Sequence, residues 1–143
     1  MPAVSDIKTG LSAEQYALIA AFRYELRRFL AFSEAAAAAV GLPPQQHQAL
    51  LAIAGKPGVS TIGSLAEQLL IAPHTAAELV ARMVESALVT KTMGAQDRRR
   101  AELALTPKAE ALLHRLTADH LKELEILEPA LAKALGRITD ADR

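Results

Sequence analysis

Apolar residues recur every three to four positions along most of this chain, which predicts helices separated by short breaks. Within 11–40, Leu18, Phe22, Leu26, Phe29 and Leu30 keep that spacing and mark a long first helix. Ser12 is a suitable N-cap for it, with Gln15 three residues on as a capping box. The Ala35–Ala39 run favours helix and lets a second helix approach closely, and Gly41 is a natural stop. Pro43 and Pro44 open a second helix carrying His47, Leu50, Leu51 and Ile53, which breaks at Gly55-Lys56-Pro57-Gly58. Ser60 or Thr61 caps a third, Ser60–Leu69, whose inward face is Ile62, Leu65, Ala66 and Leu69. The fourth, Pro73–Ser86, has proline at its first position and turns Ala76, Leu79, Val80 and Met83 inward. Ala72 stands where a capping side chain is normally found, a loss of about 1 kcal/mol.

The period then changes. Leu88–Met93 has strand character, Ala101–Leu105 alternates weakly through Leu103 and Leu105, and a Gly-containing turn joins them into a two-stranded hairpin. Thr106 caps a fifth helix with Pro107 first, and Leu112, Leu113, Leu116, Leu121, Leu124 and Leu127 share its broad apolar face. Glu128-Pro129 is expected to end it, with a short sixth helix, Pro129–Leu135, beyond. Residues 1–10 have little periodicity.

Between 60 and 107 the order is helix, turn, helix, strand, basic turn, strand: a winged helix-turn-helix, in which one helix can enter a DNA groove while a basic loop reaches the backbone beside it. The expected fold is mainly α with a small two-stranded β-hairpin wing, in a single domain over 1–143. Within it, about 43–106 forms the winged helix-turn-helix, with the wing at 88–106. The segments at about 11–40 and 107–143 are expected to be dimerisation helices. Both are strongly apolar on one side, and the central module is too small to cover them, so a monomer would expose a large apolar patch. A homodimer with intertwined ends covers that surface, as would, less economically, a monomeric bundle of the same helices.

Composition agrees with helices: apolar residues are 51% of the chain but aromatics only 3%, so the core is Leu, Ala, Val and Ile. No apolar run is long enough to span a membrane and no signal peptide is visible, so the expected location is the cytoplasm. The absence of cysteine excludes disulfides, thiolate metal sites and thiol-based redox sensing. The 16 basic and 16 acidic residues cancel, which is unusual for a DNA-binding protein, but they are segregated. Lys91, Arg98, Arg99 and Arg100 face one acid, Asp97, whereas Asp119, Glu123, Glu125 and Glu128 face only Lys122.

Three consecutive arginines at a hairpin tip have no packing role there. A charge run is usually a solvated face, but arginine is also drawn into a narrow minor groove, and each neutralised phosphate adds salt-dependent affinity. On the fourth helix, His74, Thr75, Ala77 and Glu78 lie at the N-terminal, outward side, where His74 and Thr75 suit base edges or phosphates. A carboxylate at Glu78 repels phosphate unless it accepts from a cytosine amino group or pairs with an arginine. With Ser60, Thr61 and Lys91, these residues and Arg98–Arg100 make up the candidate DNA-binding set, and Asp97 and Arg82 are candidates to orient the wing. His114 and His120 are six apart and do not share a helical face, and His120 with Glu123 makes only two ligands, so no metal is expected. No phosphate loop, nucleophile elbow or catalytic triad signature is present, so neither an enzyme nor a cofactor is expected.

The sequence resembles the MarR family of winged-helix transcriptional regulators from about Leu11 to Leu135. Leu65-Ala66-Glu67-Gln68-Leu69 and Thr75-Ala76-Ala77-Glu78-Leu79-Val80-Ala81-Arg82-Met83-Val84-Glu85 carry the likeness in the helix pair. Ala87-Leu88-Val89, Asp97-Arg98-Arg99-Arg100 and Leu103-Ala104-Leu105-Thr106 carry it through the wing. The combination is specific where each piece alone is weak. The resemblance implies a homodimer built from the terminal helices, with the Pro73–Ser86 helix in the major groove of a pseudo-palindromic operator and Arg99, two after Asp97, in the minor groove. It also implies a repressor released by a small aromatic or phenolic ligand held between the dimerisation helices and the winged module. Phe22, Tyr24, Phe29, Phe32 and His47 are the bulky candidates for that pocket. Glu78, Ala77 and Ala87 depart from the family's frequent arginine or polar reader, threonine and glycine. Two rival functions remain open: a winged-helix module that binds protein rather than DNA, and an enzyme or ligand carrier using the dimer crevice.

Overall fold

The computed structural model describes residues 11–94 and 100–141, with side chains to residue 136. In chain order the elements are α1 (Ala13–Ala39), α2 (Pro44–Gly55), β1 (Ser60–Thr61), α3 (Ile62–Leu69), α4 (Pro73–Glu85), β2 (Val89–Met93), β3 (Ala101–Leu105) and α5 (Pro107–Ala141). No helix among the described residues is long and apolar enough to cross a membrane. Two compact units divide the chain: a central one, Glu34–Ala118, and a terminal one comprising the chain up to Ser33 and from Asp119 onward.

The central unit is organised by the inward faces expected from the periodicity. Ala37, Leu42, Leu50, Leu65, Leu79, Val80, Met83, Leu88, Leu103, Leu113 and Leu116 form one buried cluster. Two departures concern its β-structure. The sheet has three strands, in the order β1-β3-β2, not the two of the expected hairpin. Ser60 and Thr61 form β1, opposite Leu103 and Glu102 of β3, and α3 therefore begins at Ile62. A two-residue strand is too short for its alternation to show in a sequence. Thr61, not Ser60, is the N-cap: its Oγ1 accepts from Ser64 N at 3.1 Å, and Ser64 Oγ accepts from Thr61 N at 2.9 Å.

Three helix ends in this unit close in one way, with a left-handed residue followed by paired hydrogen bonds back into the last turn. After α1, Gly41 (φ 74°) takes that position and Leu42 N donates to Ala37 O at 2.9 Å. After α3 it is Leu70 (φ 57°), with Ile71 N donating to Ala66 O at 3.0 Å. After α4 it is Ala87 (φ 59°), with Leu88 N donating to Met83 O at 2.9 Å.

The terminal unit buries Leu18, Leu127 and Ala134. Ser12 and Gln15 form the expected capping box at the start of α1, through Ser12 N to Gln15 Oε1 (2.7 Å) and Gln15 N to Ser12 Oγ (3.3 Å). His120 is buried, 2.8 Å from Ser33 Oγ through Nε2, with the rings of Phe29 and Phe32 edge-on at 5.8 and 5.2 Å between centroids. Large apolar side chains stay exposed here, among them Tyr16, Ile19, Leu30, Leu121, Ile126 and Leu135. The expected break at Glu128-Pro129 does not occur: α5 runs through Pro129 as one helix. Proline removes a single N–H from the ladder. Strong helix formers on both sides, Leu124-Glu125-Ile126-Leu127 before and Ala130-Leu131-Ala132-Lys133 after, make continuation cheaper than a new helix with its own nucleation cost.

Candidate nucleic-acid interface

α4 is amphipathic in a single sense. Ala76, Leu79, Val80 and Met83 are at most 3% exposed and seat it against the core, while His74, Glu78, Ala81, Arg82 and Glu85 are exposed on the other side. At about 100° per residue, His74, Glu78 and Glu85 lie on the line opposite the core. Thr75 and Ala77 flank that line half-buried. No side chain caps the helix start at Ala72.

The wing is bound to the helix pair at several points. β2 and β3 pair from Val89↔Leu105 to Met93↔Ala101, and Gly94 N donates to Arg100 O at 2.9 Å to close the base of the turn. β1 joins the other edge of β3 and leads directly into the Thr61 cap of α3. Thr106 ties the far end: its Oγ1 donates to Ala87 O at 2.7 Å and accepts from Ala109 N at 3.2 Å, and its N–H donates to Leu88 O at 3.1 Å. Lys108 Nζ donates to Ser86 O at 3.0 Å. The end of α4, the end of the wing and the start of α5 thus share one set of hydrogen bonds.

Of the candidate DNA-contacting residues, His74, Glu78, Lys91 and Arg100 are exposed, and Thr75 and Ala77 half so. Ser60 and Thr61 are not presented: they are 5% and 8% exposed, Ser60 Oγ donates to Ile53 O at 3.4 Å, and Thr61 Oγ1 is taken up in its cap. Forming a sheet edge and a helix start occupies both hydroxyls, and their side chains are structural. Asp97, Arg98 and Arg99 lie outside the described residues. Arg82 is exposed in the last turn of α4.

The bulky residues considered for a ligand pocket separate. Phe29 and Phe32 line a concavity of about 230 Å³ in the terminal unit, with Glu25, Arg28 and Ile126. Phe22 is half-buried but does not line it, and Tyr24 is 59% exposed, whereas His47 is buried in the central unit. His120, considered in the sequence only as a metal ligand, is the residue around which Phe29 and Phe32 gather. Its single apolar-side neighbour pattern on α5 held no sign of partners far away on α1. Among the described residues no group of three His, Asp or Glu stands close enough to hold a metal ion. A second concavity, about 700 Å³, opens in the central unit between β3 and the start of α5, lined by Ile53, Val59, Leu103, Glu110, Leu113 and His114. None of the bulky candidates lines it.

Residues 40–100 match the sequence model of the MarR family. No curated protein matches the chain. Among solved structures, AbsC, a MarR family transcriptional regulator from Streptomyces coelicolor, is 17% identical at a TM-score of 0.72, over 91% of this chain and 95% of that one. A mutant of S. aureus MepR bound to an oligodeoxyribonucleotide is 19% identical at 0.62, over 85% of this chain and 88% of that one. Bordetella bronchiseptica BpsR, from a study of the regulation of its DNA binding by 6-hydroxynicotinic acid, is 18% identical at 0.61, over 82% and 89%. At such identities the likeness establishes the fold, and residues 40–100 add the sequence pattern. By that segment and that fold, the chain carries the MarR family's sequence pattern over 40–100 and shares the fold of MarR family transcription regulators.

Proposed function

We propose that the chain acts as a homodimeric, sequence-specific DNA-binding regulator, a repressor that a small-molecule ligand releases. The observation that carries this reading is the pairing of an unobstructed α4 face with exposed Lys91 and Arg100 on a wing hydrogen-bonded to the same unit. α4 would enter a major groove, and the wing arginines, Arg99 foremost, would reach the adjacent minor groove and phosphates. The MepR mutant bound to an oligodeoxyribonucleotide supports this use of the fold.

Dimerisation is supported by the apolar surface of the terminal unit. Leu121, Leu124, Leu127, Leu131 and Leu135 line an open groove of about 610 Å³ along α5. A second copy would cover that groove and hold two α4 helices about one DNA turn apart, roughly 34 Å. BpsR and its 6-hydroxynicotinic acid support ligand control. A ligand that favours a different separation of the two helices by a few kcal/mol is enough to release DNA.

The test is binding of the purified protein to DNA fragments, including those flanking its own gene, over a range of salt. Affinity should fall steeply with salt, and Arg99→Ala should lower it about uniformly across sequences and flatten the salt slope by about one unit. No binding to any fragment at low salt overturns the proposal. Zero net charge and a Leu70 that is 92% exposed in the turn between α3 and α4 favour one rival, a module that binds protein. A co-purifying partner indifferent to substitution of Arg98, Arg99 and Arg100 would select that rival.

A further inference from the structure

Glu78 is the residue on α4 that a DNA-binding surface explains least. A carboxylate accepts hydrogen bonds and cannot donate them, and a DNA backbone offers it only repulsion. Two arrangements reconcile it with such a surface: a protein cation that neutralises it, or a base that donates to it. Among the described residues, no cation is in place for the first. Arg82 sits one turn further along the same helix, yet among the described residues Glu78 makes neither an ion pair nor a side-chain hydrogen bond. It is exposed, lies on the line opposite Ala76, Leu79, Val80 and Met83, and has no packing role. Its neighbours across that face, Ala77 and Ala81, are methyl groups. The helix can therefore approach base edges closely at Glu78, with the carboxylate as the side chain that reaches furthest between His74 and Arg82.

We propose, resting on the DNA-binding reading above, that Glu78 is a specificity-determining residue that accepts a hydrogen bond from the N4 amino group of a cytosine in each operator half-site. The major groove holds only two amino donors, on cytosine and on adenine. Adenine sets its N7 acceptor beside its amino group, where the second carboxylate oxygen would meet it. Guanine and thymine present acceptors alone at that depth. Cytosine is the one base whose edge gives Glu78 a donor with no facing acceptor. On every other base the carboxylate loses water and gains nothing, so Glu78 works chiefly by rejecting wrong sequences. The Ala77 and Ala81 methyls suit a thymine methyl at a neighbouring step.

The experiment selects binding sites from random duplex DNA with the wild-type full chain, Glu78→Ala and Glu78→Gln, then measures affinities for the selected site and its single-base variants. The wild type should enrich one cytosine per half-site, and changing that C·G pair to T·A should weaken binding by roughly tenfold or more. Glu78→Ala should bind the four bases at that position within about twofold of one another and hold non-specific DNA more tightly, because a repulsive charge is gone. Glu78→Gln should move the preference to adenine, since an amide pairs with both the N6 amino group and N7. That switch would not follow from a merely structural role. If Glu78→Ala keeps the wild-type preference, or Glu78→Gln still selects cytosine, the assignment is wrong while the regulator reading stands. If the wild type selects no sequence at all, both fall.

Discussion

Leu70 and Ala87 both hold left-handed backbone at helix ends, φ 57° and 59°, where Gly41 does the same work without a Cβ. A side chain in that region costs about 1–2 kcal/mol, part of which glycine returns through its larger freedom in the unfolded chain. Leu70 is 92% exposed and Ala87 is exposed, so neither loses packing on truncation. Leu70→Gly and Ala87→Gly are each expected to stabilise the protein by about 0.5–1 kcal/mol, read as a higher denaturant midpoint at unchanged slope. An unchanged midpoint would mean that the surroundings already relax the strain. The departure from glycine at 87 was visible in the sequence through the resemblance. Leu70 was not, because nothing local in Glu67-Gln68-Leu69-Leu70 marks a left-handed turn. That conformation is imposed by the packing of α3 and α4, through Leu65, Ala66, Leu79 and Val80, which needs the chain to reverse at that point.

Among the elements, α4 and α5 contrast. The buried stripe Ala76, Leu79, Val80 and Met83 was legible in full, because a single helix with one apolar face has a single way to lie on a core. β1 was not legible: it exists only because β3 offers it an edge, and it withdraws Ser60 and Thr61 from the surface. Pro129 misled for the opposite reason, since a strong local signal was outweighed by the helical run on both sides. It still leaves one bond of the ladder unmade and crowds the carbonyl of the preceding turn. Pro129→Ala should therefore raise the unfolding midpoint by the equivalent of about 1–3 kcal/mol, compared at equal protein concentration. No change, or a fall, would show that a bend at Pro129 is needed by whatever packs on α5.

For the molecule as a whole, the decisive feature is where apolar surface remains. Most of the large exposed apolar residues belong to the terminal unit, including Tyr16, Ile19, Tyr24, Leu30, Leu121, Leu124, Ile126 and Leu135. A second copy is the partner proposed for them. Leu124→Glu, which sets a charge in the α5 groove, should convert a dimer to a monomer in sedimentation and reduce operator affinity by orders of magnitude, since one half-site alone is then held. Helical content should stay near that of the parent chain, as Leu124 is 42% exposed. A Leu124→Glu protein that remains dimeric and binds DNA normally would place the interface elsewhere.

The amino-acid sequence alone determined the helices with one apolar face, their caps at Ser12 and Thr106, the β2–β3 wing and the likeness to a winged regulator. These are encoded by spacing and by residues a few positions apart. Tertiary structure decided what depends on partners distant along the chain. It turned Ser60 and Thr61 into a third strand and a cap, carried α5 through Pro129, gathered Phe29 and Phe32 around His120, and, among the described residues, set no cation beside Glu78. Periodicity tells a residue which way to face. Only the packed chain settles which groups it meets there.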